Sequence, residues 1–183
     1  MSTTADFALA AQGLAGAVLA ASVRPSDAIR LLADLAAVVP VATDATTADM
    51  AAMRSATGDL LRRAAVVALA RASAMYQPTS FDDAAAVRVL VCDLIDREVT
   101  IAGDQMQDAT FAAFRALRAA VALDLATRGA GLSSVATVAS GAVPAPVLAQ
   151  RLYRDPVRAD ELVTQAAPVH PAFMPAQFKA LSS

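Results

Sequence analysis

The chain has 183 residues, a formal net charge of −2 and a pI near 5.3, so no global positive field draws nucleic acid to it. Apolar types make up 57% of it and the mean hydropathy is +0.50, above an ordinary soluble domain. Much of that share is alanine, the best helix former, and aromatics are only 4%, which argues for thin, closely packed helices and against an all-β fold.

Residues 6–22 read as a first helix, interrupted in pattern by Gly13 and Gly16. Pro25-Ser26-Asp27 is a helix start, with Ser26 or Asp27 as the expected cap. Ile29, Leu32, Leu35, Ala36 and Val39 then recur at spacings of three and four until Pro40. A polar loop is expected over 43–47. A long helix follows over 47–75, with Met50, Met53, Leu60, Leu61, Val67 and Leu69 as its apolar face and Arg54, Arg62, Arg63 and Arg71 as its polar one.

Gln77-Pro78-Thr79-Ser80 breaks the pattern, and Ser80 with Asp83 resembles a capping box. The next helix carries Val87, Leu90, Val91, Leu94 and Ile95 to about Ala102, where Gly103-Asp104 punctuates. A further helix to about Thr127 sets Phe111, Phe114, Leu117, Val121 and Leu125 on one side and closes at Arg128-Gly129-Ala130-Gly131. Beyond Gly131 the character changes. Alternating β-branched residues over 134–140 predict a strand, and Pro144 and Pro146 open a helix over 147–153. Asp155-Pro156 opens another over 157–166; Pro168, Pro171 and Pro175 forbid regular structure, and 177–181 is a last strand. The expected architecture is mainly α: an alanine-rich helical region over 1–131, then a small βααβ module over 132–183.

One cysteine, Cys92, excludes an intramolecular disulfide and a thiolate zinc cluster, and one histidine, His170, excludes a metal site of several imidazoles within one chain. No secretory signal is expected, because residues 1–6 carry no positive charge, and no membrane span, because the charge-free run over 8–23 is interrupted by Gln12, Gly13 and Gly16. His170 lies near Asp155 and Asp160 in sequence, with Ser140 or Thr164 as conceivable nucleophiles, yet no serine sits in a Gly-x-Ser-x-Gly elbow. The simpler reading is a turn residue whose ring packs on Tyr153 or Phe173. Asp82-Asp83, Asp93 with Asp96, and Asp160-Glu161 stand at helix starts or among arginines, where capping and ion pairing account for them. Arg62-Arg63, Arg115 with Arg118, and Arg151, Arg154 and Arg158 are interleaved with acids, unlike a nucleic-acid stripe. Cys92 reads as a buried small hydrophobe; Met50, Met53, Met75 and Met106 read as core filler. No catalytic set, cofactor or metal is implied.

The segment VPAPVLAQRLYRDPVRADELVTQAAPVHPAFMP, with KALSS after it, resembles the C-terminal segment of the DNA circularisation (DNA circulation) protein family of Mu-like contractile-tailed phages. The resemblance rests on Leu148-Ala149, Arg151-Leu152-Tyr153, Asp155, Arg158-Ala159-Asp160-Glu161-Leu162, His170-Pro171, Phe173 and Pro175, about 35 residues in all. It implies a virion protein of the tail or baseplate hub, assembled in the host cytoplasm. Several copies would surround the tail axis and touch tube, hub, wedge, spike or tape measure proteins. The βααβ plan is similar to LysM-like modules of tail proteins. Three positions depart from the family pattern: Arg154 stands where Gly is usual, Gln165-Ala166 where Asn is usual, and Pro175-Ala176-Gln177 where Pro-Gly-Gly or Pro-Ala-Gly is usual. These changes weaken the alternative of a peptidoglycan-binding module; the charge weakens that of a DNA end-binding factor. The family's β-rich N-terminal domain has no counterpart here, which the resemblance accommodates as a second chain or a shortened relative. On physical grounds, Leu148, Leu152, Leu162 and Val163 form a two-helix apolar face with Tyr153 and Phe173 as bulk, and Arg151 or Arg158 pairs with Asp155 or Glu161.

Overall fold

The computed structural model describes residues 4–38, 47–141 and 143–182. It is mainly helical, with a small two-stranded antiparallel sheet near the C-terminus. Helices α1 (Thr4–Ala21), α2 (Pro25–Ala37), α3 (Ala48–Met75), α4 (Phe81–Asp104) and α5 (Asp108–Gly129) precede strand β1 (Val135–Ala139). Helices α6 (Ala145–Tyr153) and α7 (Ala159–Ala166), joined by a 3-10 turn at Pro156–Arg158, lead to β2 (Gln177–Leu181). The chain divides into two compact units: Met1–Gln77 with Ala85–Thr127, and Pro78–Ala84 with Arg128–Ser183. The expected loop over 43–47 and the helix stop at Val39 and Pro40 lie outside the described residues, apart from Thr47.

Helix starts follow local chemistry. Pro25 occupies the first turn of α2, where its missing N–H costs nothing, and Arg24 is the N-cap without a side-chain bond. Ser26 and Asp27 therefore do not cap as expected; Asp27 pairs with Arg30 on the same helix. Thr47 does cap α3, its side chain accepting from the Met50 N–H at 3.3 Å. At α4 the Ser80 hydroxyl accepts from the Asp83 N–H at 3.0 Å, while the Asp83 carboxylate reaches back to the Thr79 N–H at 2.8 Å.

Helix ends are less orthodox. Helix α4 runs through Gly103 and stops two residues later than expected, at Asp104, in a pair of bonds from Gln107 N–H to Ala102 C=O and from Met106 N–H to Gly103 C=O. Met106 takes the left-handed position, φ 54°. The expected glycine cap of α5 is not of that type, for no described glycine has positive φ. Gly129 serves close packing instead: a Cβ there would lie 2.8 Å from the Ala84 Cβ, within the second unit.

The helical unit's core is built on α3. Ala64, Ala65, Ala68, Leu69 and Ala72 are buried on it, with Leu32 from α2, Val91 and Ile95 from α4, and Phe114, Val121 and Leu125 from α5. Alanine lets helix axes approach, and that closeness leaves no room for long side chains. The methionines expected in the core are outside it: Met50, Met53, Met75 and Met106 are exposed, Met106 by 87%. Three of them flank the buried stretch of α3 and the fourth, Met106, sits in a turn, so pattern alone placed them wrongly. Val67 and Leu90, expected on apolar faces, are exposed as well. Cys92 is buried, as its apolar neighbours suggest, and burial pushes its thiol pKa up.

In the second unit β1 and β2 pair antiparallel in the register Val135 with Leu181 through Ala139 with Gln177. Leu148, Ala149, Leu162, Met174 and Ala180 form the core, with Val138, Leu152, Tyr153, Val163 and Phe178 packed against it. Phe173, expected as core bulk, is 68% exposed; its neighbour Met174 is 2% exposed and fills the place. The tight His170–Phe173 turn, closed by Phe173 N–H to His170 C=O at 2.9 Å, turns Phe173 outward and Met174 inward.

Candidate functional site

The signature segment converges on the end of β2. Even-numbered residues of β1 face their partner, since Ser182 N–H donates to Ser134 C=O and Ser140 N–H to Ala176 C=O. Leu181 therefore points its backbone polar groups away from β1. Both are met by side chains: the Tyr153 hydroxyl donates to Leu181 C=O at 2.9 Å, and the Leu181 N–H donates to Gln165 Oε1 at 3.1 Å. One residue from each helix thus holds the last strand.

Those two residues are themselves held. The Arg158 guanidinium lies 3.8 Å from the centroid of the Tyr153 ring and makes a two-pronged bond to Glu161, at 2.8 and 2.9 Å. Gln165 Nε2 donates to Glu161 Oε1 at 3.1 Å, which turns its carbonyl oxygen toward Leu181. Burial raises the Tyr153 pKa, with the Glu161 charge adding to it. The bond from Arg158 holds the Glu161 carboxyl below its ordinary range, and the same bond raises Arg158. Of the pairings expected for Arg151 or Arg158, Arg158 with Glu161 forms; Arg151 is exposed.

The remaining signature residues have local duties. Asp155 accepts from the Val157 N–H at 2.9 Å and starts the 3-10 turn. Leu162 is buried and Leu152 partly so. Asp160 stands in the first turn of α7, suited to the helix dipole. Pro171 offers its carbonyl to the Ala145 N–H at 2.9 Å, tying the Pro-rich turn to the start of α6, and Pro175 is half-buried ahead of β2. His170 accepts from the Ala172 N–H at Nδ1, 3.1 Å, and tilts against Phe173 with ring centroids 6.2 Å apart. Its expected place in a turn is observed, on Phe173 and not on Tyr153. Among the described residues neither Asp155 nor Asp160 bonds to it.

Two polar clusters were not visible in advance. In the second unit Asp82 accepts from the Val135 N–H at 2.5 Å, capping the near end of β1. In the helical unit Glu98, 1% exposed, binds both Arg62 and Arg63. Arg62 also bonds Asp59 at 2.8 Å; Arg63 bonds Gln107 and Gln105 at 2.7 and 2.9 Å, and Gln105 returns to Asp59 at 2.8 Å. Burial works against the Arg62 charge, but its bonds to Glu98 and Asp59 outweigh this and raise its pKa. The adjacent arginines in an apolar helix were the available signal; Glu98 sits on the same stripe as Val91, Ile95 and Ala102, where hydropathy reading passes over it. No buried side-chain polar atom among the described residues lacks a partner.

Among the described residues no group of three or more His, Cys, Asp or Glu could hold a metal, and no helix is long and apolar enough to cross a membrane. No protein-family model matches the chain, and no curated protein matches it.

Proposed function

We propose that the chain is a structural component of a contractile phage or phage-like tail, at the baseplate hub or distal tail tube, acting in assembly and as a docking adaptor. The observation that carries this reading is how the signature segment is used. Tyr153, Arg158, Glu161 and Gln165 brace a small fold, while Val169 and Phe173 stand outside it. The C-terminal unit is then a LysM-like βααβ module: the order β1, α6, α7, β2 with an antiparallel strand pair agrees with that plan. The helical unit supports the same role, since Phe7, Leu9 and Leu14 on α1 and Leu123 on α5 offer apolar area that a partner protein would bury. Neighbours in the assembly would be tube, hub, wedge, spike or tape measure proteins, with no catalytic step and no nucleic acid or membrane contact required. Mass spectrometry of purified tails tests it: the chain is expected in stoichiometric amount, and deletion of its gene is expected to leave incomplete tails. Normal tails from the deletion strain overturn the reading.

A further inference from the structure

The two edges of the small sheet are treated differently. On β2 the outward groups of Leu181 are taken by Tyr153 and Gln165, helix α7 packs along the strand, and Lys179 puts a charge on the edge. Such devices prevent strand addition. On β1 only the Val135 N–H is covered, by Asp82. The ladder parity points the N–H and C=O of Thr137 and Ala139 off the open edge; both residues are exposed, and among the described residues these groups have no partner. Residues 132–150 contain no charge, and no proline falls within β1.

We propose that this edge is a self-association site at which a second copy of the chain adds its own β1 antiparallel, with the two-fold axis beside Val138. The register follows from which groups are free. Because Asp82 holds the Val135 N–H, the free outward donors of each copy are those of Thr137 and Ala139, each accompanied by its own residue's outward carbonyl. Antiparallel pairing of Thr137 with Ala139 of the other copy satisfies all of them with four backbone bonds. Val138 then faces its twin on the core side of a four-stranded sheet, and Ala136 faces Ser140. A register centred on Thr137 would instead drive the Ala139 carbonyl into the Asp82 carboxylate. A copy of the same chain is the fitting occupant because an uncharged strand meets no repulsion from itself, and its free groups match in number and spacing. The inference does not depend on the tail reading.

Sedimentation velocity of the full chain at tens of micromolar tests it. The expected mass is twice the 18.7 kDa of one chain. Thr137→Pro or Ala139→Pro, each removing an outward N–H, is expected to weaken the dimer at least tenfold while circular dichroism keeps the melt. Lys179→Thr, on the other edge, is expected to leave the mass unchanged. Where a proline variant unfolds, oxidative cross-linking decides: a mixture of Thr137→Cys and Ala139→Cys chains is expected to cross-link more than either alone. A monomeric wild type, a dimer that both folded proline variants preserve, or cross-linking no greater in the mixture overturns the proposal.

Discussion

Replacing Arg154 by glycine should stabilise the C-terminal unit. Arg154 caps the end of α6 at φ 56°, ψ 23°, with its N–H bonded to the Gln150 carbonyl. That left-handed geometry crowds Cβ against the following carbonyl and costs a non-glycine residue about 1–2 kcal/mol. Glycine removes the crowding but has a freer unfolded chain, which offsets about 0.5–1 kcal/mol. The net expected gain is therefore about 0.5–1 kcal/mol, or several degrees in the melt of a unit this small. The guanidinium is exposed and makes no bond among the described residues, so its loss subtracts little. Arg154→Ala supplies the control, because it keeps Cβ and discards the rest; its expected effect is near zero. Hydrogen exchange over residues 145–166, followed by mass spectrometry, isolates this unit from the helical one. If glycine gives no more protection than alanine, the Cβ crowding is not a cost in this fold and the reasoning fails.

Leu162→Asp places an unpaired charge at a fully buried position and should abolish exchange protection of the C-terminal unit; unchanged protection would show the two-helix face is not a core. Glu98→Ala leaves Arg62 and Arg63 mostly buried without their shared anion and should cost about 3–5 kcal/mol in urea unfolding of the helical unit. Glu161 has a depressed folded pKa, so its contribution is fully present above its ordinary value of 4.5 and is lost as pH falls through the lower folded value. Protection of the C-terminal unit should therefore drop on acidification below about pH 4.5 in the wild type, and less steeply in Glu161→Gln.

The elements legible in the sequence were those set by local rules. Proline at a first turn, Ser80 at a cap, and alternation over 134–140 all act within a few residues, so pattern suffices. What failed depended on how close the helices come. An apolar stripe says which face turns inward, but not how much space waits there. Where alanines set the spacing, methionine stays out, and the place of bulk in the C-terminal core passes from Phe173 to Met174 by the turn of a single residue. The left-handed helix ends were hidden for a related reason: Met106, Arg154 and Ala167 occupy positions that glycine or asparagine would advertise.

The bracing of β2 shows why the signature residues could be found but not understood from order alone. Tyr153, Arg158 and Glu161 stand out because polar and aromatic types are scarce in this chain. Gln165 does not, yet it turns their stack into a hold on the strand, by donating to Glu161 and accepting from Leu181. A sheet of two strands has no inner strand, so every second backbone group needs a partner from outside the ladder or from water. The helices supply those partners at Leu181, and Asp82 supplies one at Val135. The polar residues that suggested chemistry are thus placed where the small sheet would otherwise fray. The same logic marks Thr137 and Ala139, whose outward groups no side chain meets, as the place where the sheet can still grow.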